Sequence, residues 1–476
     1  MFFATMGSMP RTKIICTIGP ASNSEDKLRS LIVAGMNIAR LNLSHGTHEE
    51  HAKVIGLLRK IDSSIAVLSD LQGPRIRTGL LIGQRAVELK TGDIITLTGK
   101  QLEGDSRQVS ISPGSVIADI KVGDQILIAD ATIELKVISK NKLGLKCKIV
   151  DGGVLSEHKG VNLPKTKLSL PSITAKDKRD LEWAIKNKVD YIGLSFVRQA
   201  KDILAVKQVL KRHKVNIPVI AKLEKPEAID NLEAIVAVAD AIMVARGDLG
   251  LEMSLEKVPE IQKKVIALCR KACKPVIVAT QMLESMVDHE HPTRAEVSDV
   301  ANAIFDGTDV VMLSEETSVG QDPVRAVKTM VKIIAEAEND LQYQAIEPEK
   351  NNLDLAVAHS ACVLANTLKA KAIVTFTETG STALRVAKQR PSTPVFGVVI
   401  NEKALRRLAL YFGVQPVCIK SFKYIDQMIS HAESAIKKVA KLRKHDLVVI
   451  TAGIPTHVPG ITNLVKVHRV GEKQSF

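Results

Sequence analysis

Aromatic side chains are scarce in this 476-residue chain: one Trp, four Tyr and nine Phe, or 3% of the whole. That argues against a surface built to stack single-stranded bases, which needs ring platforms. Helix-turn-helix and zinc-finger spacings are also missing, so no nucleic-acid partner is expected. No run of about 18 uncharged apolar residues occurs, and the sequence predicts no membrane span. The start, MFFATMGSMPRTKIICTIGP, lacks an apolar core behind a basic end and predicts no secretory leader. Six cysteines stand at 16, 147, 269, 273, 362 and 418 without a CxxC pair or a nearby His set. That argues against zinc and points to reduced thiols in a cytoplasmic protein.

What is present suits a globular protein. Apolar residues make up 45% and charged residues 25%, enough for a real core in each of about two to four domains. The formal charge is +14, and residues 351–476 hold 18 Lys and Arg against 7 Asp and Glu. Small anions are a natural partner for that excess.

Eight short apolar runs alternate with amphipathic helical segments. They span 13–19, 37–44, 65–71, 191–197, 219–224, 241–249, 276–282 and 310–317. Such alternation implies a parallel sheet, and eight units close into a (β/α)8 TIM barrel. The barrel is expected to hold residues 1–77 and 165–345. Between them, 78–164 carry the turns KTGD, SPGS, KVGD and DGG and the alternating run QILIADATIELKVIS. This predicts an inserted small all-β domain, placed as a lid over the mouth. Residues 346–476 read as a C-terminal α/β domain with an open sheet, with strands in AIVTFTET, PVFGVVI, PVCI and LVVITAG.

Polar residues collect at the C-terminal ends of the barrel runs: Arg40, Asn42, Ser44, Asp70, Ser195, Lys222, Glu224, Arg246, Asp248 and Thr280. In a barrel these ends form one rim, where active sites lie. The stretch VIAKLEKPEAI (219–229) is the sharpest case. Side chains alternate along a strand, so Lys222 and Glu224 point the same way, and Pro226 suits the first turn of a helix. The plain alternative is a surface ion pair. Glu224 and Asp248 offer few, hard oxygen ligands, which suits Mg²⁺ (or Mn²⁺) with substrate phosphate better than zinc. Arg40, Arg77 and Lys222 add positive charge. Together this is equipment for phosphoryl transfer or for stabilising an enolate. Asp248 has a second reading as a helix cap, and Asp70 as a turn residue. Thr293 and Glu296 spell a capping box. His45, His48 and His51 read as a solvated helix face rather than a metal site.

TKIICTIGPAS, MNIARLNLSHGTHEEH, GPRIRTG, VIAKLEKPEAI, IMVARGDLG, VIVATQMLESM and HPTRAEVSDVANAIFDGTDVVMLSEET together resemble pyruvate kinase of the bacterial type, in order and over almost the whole chain. The resemblance implies transfer of the phosphoryl group of phosphoenolpyruvate to ADP, giving pyruvate and ATP, with Mg²⁺, in a cytoplasmic homotetramer. It implies that Glu224 and Asp248 are metal ligands, that Lys222 steadies the phosphoryl group and enolate, and that Arg40 grips phosphate. Gly247 and Thr280 would meet the substrate's carboxylate end. Asn42, His45, Arg77 and Lys159 would serve the nucleotide. Asn42, Ser44, Asp70 and Leu71 match a monovalent-cation seat. Thr377, Thr379, Gly380, Ser381 and Thr382 match an effector loop, and amides and hydroxyls at a helix N-terminus favour phosphate.

Four departures stand out. Leu71, Gln72 and Arg75 replace Thr, Lys and Glu of many members, so K⁺ is expected not to be required. Glu315 replaces a Gly. Ala131 follows Asp130 where a Gly is usual. Glu378 replaces a Lys in the effector loop, which favours a sugar or nucleotide monophosphate over a bisphosphate. Two rival readings are a metal-dependent barrel lyase or aldolase, which needs no nucleotide, and a nucleic-acid binder using the basic C-terminal part.

Overall fold

The computed structural model describes residues 10–164, 166–339, 341, 345–348, 351–455 and 460–472. The expected start of the insertion's return to the barrel, at 165, lies outside them.

All eight apolar runs form strands of one closed parallel barrel. They are Lys13–Thr17, Ile38–Asn42, Ala66–Asp70, Tyr191–Leu194, Val219–Leu223, Ala241–Ala245, Val276–Ala279 and Val310–Leu313. Each strand is covered on both faces, which is why the sequence reads as near-continuous Val, Ile, Leu and Ala. Pairing of Lys13 with Val310 and of Ile15 with Ile38 closes the ring. The strands stop short of the runs. The sixth run divides into the strand Ala241–Ala245 and the helix Arg246–Glu252, and the last run turns helical at Glu315–Ser318.

The inserted segment builds a seven-stranded sheet and a two-stranded one. QILIADATIELKVIS makes the strands Gln125–Ile128 and Ile133–Asn141, paired antiparallel around a turn with positive φ at Ala129, Asp130 and Ala131. Its apolar side chains form their own cluster around Ile95, Val109, Ile126 and Leu135.

The C-terminal sheet has five strands, one more than expected. Val414–Cys418, Val395–Val399, Ala372–Phe376 and Leu447–Ala452 are parallel, and the edge strand Leu464–Arg469 runs antiparallel to Leu447–Ala452. The sheet is therefore mixed.

This domain closes the floor of the barrel. Ala409 and Leu410 pack among the inward-facing Ile15, Leu68, Ile220 and Met243. The Tyr191 hydroxyl donates to the Arg407 carbonyl at 2.7 Å, and Lys13 Nζ to the Val414 carbonyl at 2.9 Å. Asp309, one residue before the last barrel strand, takes Lys388 Nζ at 2.5 Å on Oδ2 and Arg390 Nη2 at 2.9 Å on Oδ1. Oδ2 also accepts the Val276 amide at 2.8 Å. The Arg390 guanidinium lies 3.7 Å above the centroid of the Phe412 ring. Both cations are fully buried; burial holds the Lys388 ammonium below its ordinary value, and Asp309 is the carboxylate that opposes this.

Asp309→Ala is expected to lower stability by about 3–5 kcal/mol, because it strands two buried cations. Lys388→Met, which leaves Arg390 on the carboxylate, should cost clearly less. Urea unfolding of the three proteins checks this; an unchanged midpoint for Asp309→Ala would mean that the pair does not seat the domain.

Candidate active site

Lys222 and Glu224 do not form a surface pair. They are 7% and 1% exposed, and Lys222 Nζ sits 2.8 Å from Glu224 Oε1. The strand's alternation puts both into the mouth. Lys222 Nζ also lies 3.3 Å from Asp70 Oδ2 and donates to Ser195 Oγ at 2.9 Å. Ser195 in turn donates to the Leu71 carbonyl at 2.7 Å. Burial alone would pull the Lys222 ammonium down, but Asp70 and Glu224 outweigh it and hold it above its ordinary value. Burial pushes the Glu224 carboxyl up; Lys222 opposes this and Asp248 adds to it, leaving it raised.

Arg40 joins the same group. Its Nε donates to Asp70 Oδ2 at 2.7 Å and its Nη1 to Thr17 Oγ1 at 2.9 Å. Burial would raise the Asp70 carboxyl, yet Lys222 and Arg40 together hold it below its ordinary value. Asp70 is thus an inward anion at a strand end, not a turn residue. Among the described residues its Oδ1 has no hydrogen-bond partner, and it faces Gly193, where an added Cβ would lie 2.8 Å from it. Thr17 and the Phe196 amide, which donates to Glu224 Oε2 at 2.7 Å, were not foreseen. Thr17 carries one signal, a hydroxyl at the end of the run KIICT.

Asp248 sits in the first turn of the helix Arg246–Glu252, whose cap position is Ala245. It is therefore not the cap. The Gly247 amide donates to Thr280 Oγ1 at 2.7 Å, and Thr280 holds φ at 70°, an uncommon value for a non-glycine residue. Arg246 braces this corner through Asp299 at 2.6 Å and the Thr280 carbonyl at 2.8 Å.

A second set of cations borders the mouth. His45 is held below its ordinary value, first by burial and then by Arg77, Arg75 and Arg40. Among the described residues no carboxylate pairs with Arg75 or Arg77. Lys159 is exposed beside Arg77, its backbone paired both ways with Thr78. Asn42 Oδ1 accepts the Ser44 amide at 3.1 Å, and Leu71 is 1% exposed. His48 and His51 are not a solvated face. His48 stacks on Trp183 with ring centroids 5.1 Å apart and meets Asp180 at 2.8 Å. His51 Nε2 contacts the His45 carbonyl at 2.9 Å. Thr293 and Glu296 form the expected capping box.

Among the described residues no cluster of three or more His, Cys, Asp and Glu could enclose a metal. Glu224 and Asp248 instead offer two carboxylates at an open mouth. That donor set fits Mg²⁺, which keeps several waters and takes substrate oxygens.

A family model described as pyruvate kinase, barrel domain, matches residues 9–327, and one described as pyruvate kinase, alpha/beta domain, matches residues 355–468. The chain belongs to the pyruvate kinase family. It is 44% identical to the pyruvate kinase of Staphylococcus aureus strain MRSA252, over 98% of this chain and 81% of that relative. The pyruvate kinase of strain COL gives the same identity and coverage. A crystal structure of a pyruvate kinase from Cryptosporidium parvum superposes with a TM-score of 0.90 at 36% identity, covering 97% of this chain and 96% of that one. The activity is accordingly that of a phosphotransferase of the pyruvate kinase family.

Within that family frame, Glu315 adds negative charge near the last barrel strand. Burial first, then Glu316 and Glu315, push the half-buried Glu284 carboxyl up to about 7. In the C-terminal domain, an open cleft is bordered by Thr377, Glu378, Ser381, Thr382, Ile400 and Phe422. The helix Ser381–Lys388 starts there behind Gly380, whose φ of 96° suits glycine. The Gly380 amide donates to Thr377 Oγ1 at 2.9 Å, Thr379 Oγ1 lies 3.4 Å from Ser381 Oγ, and Thr382 Oγ1 pairs with Thr462 Oγ1 at 2.9 Å. Thr379 and Gly380 do not line the cleft.

Proposed function

We propose that the rim groups divide the pyruvate kinase reaction between them as follows. The observation that carries this reading is the buried contact of Lys222 with both Asp70 and Glu224. An ammonium held there, charged and dry, meets negative charge as it develops on a transferring phosphoryl group and on the enolate left behind. Arg40, fixed by Asp70 and Thr17, grips the phosphate of phosphoenolpyruvate. Gly247 and Thr280 hold its carboxylate end. Glu224 and Asp248 hold Mg²⁺ or Mn²⁺, which when bound neutralises phosphoryl oxygens. Asn42, His45, Arg77 and Lys159 receive ADP. The domains divide at 1–77 with 165–345, 78–164 and 346–476, and the protein works in the cytoplasm as a homotetramer.

Lys222→Met is expected to lower turnover by at least about a hundredfold with a much smaller change in phosphoenolpyruvate KM. A coupled assay for ATP formed from phosphoenolpyruvate and ADP measures both, and a thermal melt separates loss of fold. Retention of more than about a tenth of wild-type turnover would sink the role.

The enzyme is also proposed to work without K⁺. Leu71 removes a hydroxyl from the monovalent seat, while Arg75 brings a permanent positive charge that no described carboxylate neutralises. Turnover in tetramethylammonium salts at fixed ionic strength should rise less than about tenfold on adding KCl. Stronger activation would rule out Arg75 as the stand-in. Leu71→Thr with Arg75→Glu should create K⁺ dependence.

The C-terminal cleft is proposed to seat a phosphorylated effector, a sugar or nucleotide monophosphate. Support comes from the hydroxyls of Thr377 and Ser381 at the start of the helix Ser381–Lys388, with Glu378 beside them to repel a second phosphate. AMP, ribose 5-phosphate or glucose 6-phosphate should shift the phosphoenolpyruvate saturation curve. A response to fructose 1,6-bisphosphate alone would reverse the preference, and no response at all would remove the site.

A further inference from the structure

One buried carboxylate beside the mouth has no part in the roles above. Glu252 closes the helix Arg246–Glu252, and its side chain is 2% exposed. Its Oε1 accepts two donors at once: Lys225 Nζ at 2.6 Å and Asn162 Nδ2 at 2.9 Å. The three partners belong to three different segments. Lys225 directly follows Glu224, and its ammonium lies 5.9 Å from the centroid of the Phe196 ring, the residue whose amide holds Glu224 Oε2. Glu252 shares a seven-residue helix with Gly247 and Asp248. Asn162 stands on the last short strand of the inserted domain, Val161–Asn162, paired with Leu127 and three residues from Lys159.

We infer that Glu252 is a positioning residue that couples the seating of the inserted domain to the placing of Glu224 and Asp248. A buried carboxylate that loses a donor keeps its desolvation cost, so Asn162 cannot withdraw freely. Movement of the insertion that pulls the amide away must shift the Glu252–Lys225 pair. That pair is attached on one side to Glu224 and on the other to the helix of Asp248. Coupling of this kind is reciprocal: a cation seated on the two carboxylates favours the position of the insertion in which Asn162 reaches Glu252. The inference rests on the proposed metal role of Glu224 and Asp248.

The test uses Mn²⁺ as the probe on the full chain, without substrates. Free Mn²⁺ is followed by electron paramagnetic resonance, and backbone exchange of residues 159–163 by hydrogen–deuterium mass spectrometry. In the wild type, Mn²⁺ should slow exchange across 159–163. Asn162→Ala, which leaves Lys225 on Glu252, should weaken Mn²⁺ binding about tenfold, the range seen for partners that orient metal ligands. It should also abolish the exchange response. Glu252→Gln, which keeps the shape and drops the charge, should do the same. An Asn162→Ala protein that melts lower but binds Mn²⁺ and responds like the wild type overturns the inference, since that is a merely structural role. Glu224→Ala separates the two readings. If it loses Mn²⁺ while Asn162→Ala behaves as wild type, the metal site stands and the coupling falls. If Glu224→Ala itself binds Mn²⁺ normally, the metal reading falls and takes the coupling with it.

Discussion

A lysine ammonium shut away from water needs carboxylates against it, and the mouth of this barrel is arranged around that demand. Lys222 comes from the fifth barrel strand, Asp70 from the third, and Glu224 from just beyond the end of Lys222's own strand. Asp70 then recruits Arg40 from the second strand. Two cations and two anions balance one another with little exposure. None of the four can be removed without leaving a buried charge uncompensated. The balance also fixes what the mouth can accept. Asp248 is left over as a partly exposed anion, and Arg75 and Arg77 as cations with no carboxylate partner among the described residues.

The floor obeys a different rule. There the C-terminal domain supplies Ala409 and Leu410 to the interior of the barrel and two fully buried cations to Asp309. The helix Ser381–Lys388 has the C-terminal cleft at one end and this ion pair at the other. The helix is eight residues long, about 12 Å from end to end. One helix of the C-terminal domain thus reaches from the cleft to the floor of the barrel.

The barrel was legible because parallel strands covered on both faces leave runs of Val, Ile and Ala, and eight of these alternate with helical segments. Lys222 and Glu224 were legible because strand parity alone puts them on one side. Strand ends were not legible: Arg246–Glu252 continues apolar enough to look extended, yet the chain turns helical as soon as it clears the sheet. The edge strand Leu464–Arg469 was missed although Val465 and Val467 alternate with Lys466 and His468. The hydropathy pattern misleads there, because His468 is buried against Glu433 while Val467 faces water. Pairs far apart in sequence left no trace at all. Asn162 and Glu252 are 90 residues apart, and Asp180 and Trp183 catch His48 from across two elements.

Leu71 and Arg75 show how one local pattern changes the electrostatics of a whole site. With Leu71 buried and its carbonyl taken by Ser195, the strand end offers no hydroxyl to a monovalent cation. Asp70 Oδ1, which has no hydrogen-bond partner among the described residues, is pressed against Gly193. Arg75 meanwhile has no carboxylate partner among the described residues, and its charge is felt by Arg77 and His45, both held below their ordinary values. In Arg77 burial is again the larger cause, with Arg75 second. Burial first, then three guanidinium groups, disfavour the charged form of the His45 imidazole. The positive charge that the described residues bring to this corner of the mouth thus sits on guanidinium groups, which stay ionised at any ordinary pH.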